Sequence, residues 1–113
     1  MHIAHVTIKS AKKDESVAFY ERYCDLKVVR TVGDRISFLS DAEGATNIEI
    51  IDDPGDAVSA KGISIGFAVA DVEGYRAELE EAGLAPTPII SPGPGVSFFF
   101  VDDPNGVQIQ FIG

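Results

Sequence analysis

A chain of 113 residues with 45% apolar content has the size of one compact domain, and its single cysteine, Cys24, excludes an internal disulfide and any cysteine-based zinc site. Nine basic against 18 acidic residues give a net charge of −9, which argues against nucleic acid or an anionic membrane as partner, because both require basic patches. No run approaches the roughly 18 apolar residues of a membrane span, and Met1 leads into a strand-like run rather than a basic and then apolar leader, so a cytoplasmic protein is expected.

The first run, IAHVTIKS, alternates, with Ala4, Val6 and Ile8 on one face and His5 and Thr7 on the other. AKKDESVAFYERYCDL then reads as a loop and a short helix, capped by Asp14 or Ser16, with Val17, Tyr20 and Cys24 as an apolar stripe and Phe19 and Tyr23 beside it. KVVRTVG, RISFLS and NIEII follow as three strands separated by turn residues. A polar connector, DDPGDAVSAKG at 52–62, leads into a second series. GISIGFAVA is a strand, with Ile63, Ile65, Phe67 and Val69 on one face and Ser64, Gly66 and Ala68 on the other. Asp71 is the expected cap of VEGYRAELEEAG, a helix with Val72, Tyr75 and Leu79 on one side, glutamates 78, 80 and 81 in solvent, and Gly83 at its end. APTPII, VSFFFV and VQIQFI complete the series as strands, with SPGPG (91–95) as a stiff turn or a lid.

Both halves therefore read β-α-β-β-β, about 1–54 and 61–113. The turn before the last strand is Asp41-Ala-Glu-Gly44 in one and Asp103-Pro-Asn-Gly106 in the other, each with a glycine suited to a left-handed conformation. The offset is 59 residues from His5 to Ser64 and 61 from Glu49 to Gln110, the pattern of an internal repeat. Reading outward from the apolar phase, the opposite strand faces carry His5 and Thr7, then Asn47, Glu49 and Ile51, then Ser64, Gly66 and Ala68, then Gln108 and Gln110. If residues 103 and 107 pair across the turn, Phe100 lies opposite Gln110, and Phe98 and Phe100 form an apolar wall on that polar face.

This plan resembles the vicinal oxygen chelate superfamily of glyoxalases, bleomycin-resistance proteins and extradiol dioxygenases. The carrying motifs are HVTI, SVAFYERYCDL, IEII, AVADVEGYRAELEEAG and FFFVDDPNGVQIQF, which together cover nearly the whole chain. The resemblance implies an α+β fold of two βαβββ modules whose strands curl around a shared cleft, a small-molecule ligand, and a homodimer.

By position, the resemblance places metal ligands at His5, Glu49 and Gln110, with Glu49 doubling as a catalytic base. The fourth place is Ser64, where the family usually has His, and a neutral hydroxyl is a poor ligand. Such a set would take nickel, zinc, manganese or iron weakly. Thr7, Asn47, Ser64, Phe98, Phe100 and Gln108 are the candidate substrate contacts. Two functions remain open at this level. One is a divalent-metal lyase or isomerase of glyoxalase type. The other is a metal-free protein that sequesters a drug, as bleomycin-resistance members do; the Ser64 departure weakens only the first. Without a metal, His5 reads as a strand histidine hydrogen-bonded to its neighbours, Glu49 among them.

Overall fold

The computed structural model describes residues 1–113, which divide into two compact units, Met1–Ser59 and Ala60–Gly113. The first unit holds β1 (His5–Ser10), α1 (Lys13–Tyr23), β2 (Lys27–Val32), β3 (Ile36–Ser40) and β4 (Asn47–Asp52), then a single 3-10 turn at Pro54–Asp56. The second holds β5 (Ser64–Ala68), α2 (Val72–Glu81), β6 (Ile90–Gly93), β7 (Val96–Asp102) and β8 (Gln108–Ile112). Each is a four-stranded mixed sheet with one helix, in the orders β1-β4-β3-β2 and β5-β8-β7-β6. The α+β fold of two βαβββ modules expected from the sequence is the fold observed.

Alternation decides what each helix covers. In the first unit Ile8, Leu39, Ile48 and Ile50 are buried with Phe19 and Tyr20 of α1. In the second, Phe99, Ile109 and Phe111 are almost fully buried with Leu79 of α2, and the Phe111 ring meets Tyr75 at 5.1 Å and Phe99 at 5.4 Å. Asp71 caps α2 as expected, accepting from the Gly74 amide at 3.0 Å. The two matching turns also form, with Gly44 at φ 84° and Gly106 at φ 82°. Asp103 organises the second one, its buried carboxylate accepting from the Asn105 and Val107 amides at 2.7 and 2.9 Å.

Four local expectations are corrected. The N-cap of α1 is Lys12, without a side-chain cap; Ser16 is one turn inside and fully buried. Its hydroxyl donates to the Lys12 carbonyl at 2.8 Å and lies 3.1 Å from the Ser10 hydroxyl, so burial against β1 holds it rather than the helix end. The buried side of α1 is Ser16, Phe19 and Tyr20, while Val17 is only half-buried. Ile63 precedes β5 and is exposed. The strand expected in APTPII is displaced: β6 begins at Ile90 and includes Pro92, tolerated because β6 is an edge strand with no partner on one side. Residues 84–89 run irregularly beside β7, where Thr87 exchanges two hydrogen bonds with Phe100.

The 3-10 turn is tied to β1 by the Val58 amide on the Lys9 carbonyl at 2.8 Å and by a Lys9–Asp56 ion pair at 2.7 Å. The hydrogen bond and charge of Lys9 hold the Asp56 carboxyl below its ordinary value of 3.8. A lowered folded-state value means stability that is present above 3.8 and is lost as pH falls through the lowered value. Replacing Asp56 by Asn should therefore lower stability slightly at neutral pH and not at all below the lowered value, which flattens the acid limb by the same small amount in low salt, the modest size being that of other exposed pairs. Phe111→Ala should remove about 3–5 kcal/mol from the unfolding free energy in denaturant, whereas Phe98→Ala, on the opposite face of the same sheet, should remove far less.

Candidate functional site

The helix-free face of the first sheet carries a row of four side chains. Parallel pairing of β1 with β4 sets Thr7 beside Glu49, antiparallel pairing sets Glu49 beside Phe38, and Phe38 faces Arg30 of β2. The Thr7 hydroxyl donates to Glu49 Oε1 at 2.5 Å, and His5 Nε2 lies 3.7 Å from the same oxygen. The Glu49 side chain is 13% exposed and that of His5 47%. Asn47, paired with His5 in register, donates to the Ala45 carbonyl at 3.0 Å, and its buried Oδ1 has no donor.

Phe38 and Arg30 are not marked by the motifs, and both belong to this row. Phe38 shares the Glu49 face by simple alternation in RISFLS, yet it is only 6% exposed. The Arg30 guanidinium covers it at 4.1 Å from the ring centroid, and His5 meets it edge-on at 6.2 Å. The next row along the same face is Lys9, Ile51, Ile36 and Val32, apolar except at its β1 end.

The second sheet repeats the register with different chemistry. Gly66 pairs with Gln110, which pairs with Phe100, the counterpart of the Thr7–Glu49–Phe38 row. Ser64 pairs with Gln108, and Gln108 with Asp102. The Gln110 Oε1 lies over Gly66, so close that a Cβ there would sit 3.1 Å from it. The Phe98 and Phe100 rings meet edge-to-face at 5.6 Å, and the Asp103 amide donates to the Val107 carbonyl at 2.9 Å. Phe98 and Phe100 thus stand on the Gln110 face. The structure brings His5, Thr7, Asn47 and Glu49 together in the first unit, and Ser64, Phe98, Phe100, Gln108 and Gln110 onto one face in the second. Cys24 is buried and ends α1.

A divalent transition ion is ordinarily held by three or four nitrogen, oxygen or sulfur donors. Nowhere in the chain do three or more His, Cys, Asp or Glu side chains come together in a metal-holding group. His5 and Glu49 are two donors, and Thr7 already occupies the Glu49 oxygen nearest the imidazole. This donor set does not fit a tightly held resident metal.

Two βαβββ modules with matching strand registers define the class of fold, and the chain belongs to the glyoxalase/bleomycin resistance protein/dioxygenase superfamily, whose family model matches residues 2–111. Among solved structures, it is similar to a trypanothione-dependent glyoxalase I of Leishmania major, with 22% identity and a TM-score of 0.82 over 100% of this chain and 86% of the other. It is also similar to a lactoylglutathione lyase of Agrobacterium tumefaciens, at 17% identity, TM-score 0.74, and 97% and 91% coverage. An antibiotic-binding protein of a Streptomyces species matches at 17% identity, TM-score 0.75, and 98% and 93% coverage. No curated protein matches the chain by sequence.

The Thr7–Glu49 contact should be measurable by itself. A double-mutant cycle of Thr7→Val and Glu49→Gln in chemical denaturation should return a coupling of about 1 kcal/mol in favour of the native pair. A coupling near zero would mean the hydroxyl and carboxylate do not hold each other in solution.

Proposed function

We propose that this protein binds a small organic molecule on the helix-free faces of its sheets, without a resident metal, in the manner of the antibiotic-binding members of its superfamily. The observation that carries this reading is the small size of the donor cluster: Glu49 accepts a hydrogen bond from Thr7, His5 stands 3.7 Å from the same oxygen, and no third His, Cys, Asp or Glu joins them. The Ser64 position adds support, since a serine hydroxyl serves a hydrogen-bonded organic ligand and serves a metal poorly. Thr7, Asn47, Ser64, Gln108 and Gln110 supply donors and acceptors, and Phe98 and Phe100 supply apolar surface. A homodimer is the assembly proposed with it, as is common in the superfamily.

The second reading, a divalent-metal lyase or isomerase with His5, Glu49 and Gln110 as ligands and Glu49 as base, is favoured by one geometric fact. His5 Nε2 and Glu49 Oε1 converge to 3.7 Å on one face. Elemental analysis of untagged protein, with titration of nickel, zinc, manganese and iron into the metal-free form, separates the two. The expected result is metal far below one ion per chain and no saturable uptake at micromolar concentrations. Near-stoichiometric metal that is lost in His5→Ala would overturn the metal-free reading and turn attention to thiol adducts of 2-oxoaldehydes as substrates.

A further inference from the structure

The pairing of β2 with β3 contains an irregularity with a chemical consequence. Val28 faces Leu39, and the next matched pair is Arg30 with Phe38, so Val29 is the extra residue of a β-bulge. Continued without the bulge, the register would set Val29 against Phe38 and turn Arg30 toward the helix side with Ser37. The bulge therefore exchanges a valine for a guanidinium on the open face, and bulges are a common device for re-aiming one side chain.

Three further observations bear on what that guanidinium does. Its Cζ stands over the Phe38 ring at 4.1 Å from the centroid, a cation–π contact that holds the group on this face without using its N–H donors. The chain's ion pairs engage Lys9, Arg35 and Arg76, and Arg30 is in none of them. The carboxylate nearest in register, Glu49, accepts from Thr7 and makes no ion pair with Arg30. Beyond Arg30 along the strand, Val32, Ile36 and Ile51 form an apolar strip on the same face. Two residues of strand advance about 6.6 Å, so the strip lies within reach of the second ring of a two-ring aromatic whose carboxylate sits at Arg30.

We propose that Arg30 is the specificity-determining residue of this face and that the ligand class is an aromatic carboxylate, its carboxylate on the Arg30 fork and its ring on the Ile36, Ile51 and Val32 strip. This rests on the small-molecule reading above and adds the chemical class. A planar fork with free N–H groups matches a carboxylate bidentately, which a lysine ammonium does not. The net charge of −9 favours cations at a distance, but Arg30 acts at contact range, where the local group decides.

The test uses the full chain, 15N-labelled, and three matched probe sets: benzoate and 2-naphthoate, their carboxamides, and the corresponding arylmethylamines. Amide and arginine side-chain resonances are followed through each titration, with Arg30→Gln and Arg30→Lys in parallel and thermal unfolding confirming that each variant is folded. The expected result is that the carboxylates shift the Arg30 Nε–H and the amides of Val32, Ile36 and Ile51. Their affinity should fall at least tenfold in Arg30→Gln and by a smaller factor in Arg30→Lys. Carboxamides or amines binding this face as well as the acids, or acids binding Arg30→Gln undiminished, would overturn the Arg30 assignment and leave the small-molecule reading standing. If none of the probes shifts either helix-free face, both proposals fail together.

Discussion

Parallel pairing of the first strand of each module with its last strand is the constraint from which the rest of the structure follows. It sets β1 beside β4 and β5 beside β8, so that Thr7 meets Glu49 and Gly66 meets Gln110 across more than forty residues of chain. A parallel neighbour cannot be reached through a tight turn, and the connection here consists of a helix and two further strands. That single helix covers one face of four strands. The other face is left to whatever the alternate residues can offer, and in both units those residues are predominantly polar or aromatic rather than aliphatic.

Much of this was legible in the sequence because period-2 alternation is a strong signal when one face is buried. His5, Thr7, Glu49, Ser64 and Gln110 could be assigned to the open faces from alternation alone, and Phe100 opposite Gln110 from the assumed closure of the Asp103–Gly106 turn. What could not be read was whatever depends on a break in the alternation. The bulge at Val29 leaves no mark in KVVRTV, where the valines are equivalent by composition, so alternation alone does not place Arg30 on a face. Ser16 resembles a cap by composition, but a serine between Lys12 and Ser10 can satisfy its hydroxyl inside the first turn, and packing decided the matter. The strand at Ile90–Gly93 runs through a proline, against propensity, because an edge position needs no amide on its outer side.

The polar row of the first unit also shows why residue identity alone is a poor guide to metal chemistry. A histidine and a glutamate on the same face of neighbouring strands look like half of a metal site. Here a threonine in the register position beside the glutamate donates a hydrogen bond to its carboxylate, and the imidazole stands 3.7 Å from the same oxygen. A buried carboxylate must be satisfied by something, and a neighbouring hydroxyl removes much of the demand that a cation would otherwise meet.

The two modules then differ at the positions where a shared chemistry would have to be symmetric. Thr7, Glu49 and Phe38 in one stand where Gly66, Gln110 and Phe100 stand in the other. The aromatic residue is kept, while the carboxylate becomes an amide and the hydroxyl is lost altogether. Gly66 gives the Gln110 side chain room to lie across the strand, and any larger residue would press a Cβ to 3.1 Å from its oxygen. One face thus carries charge and a stacked guanidinium, and the other carries neutral amides and paired phenylalanine rings. Two copies of one backbone plan therefore present unlike surfaces, because the alternate residues of each strand can change without disturbing the buried set that holds the sheet against its helix.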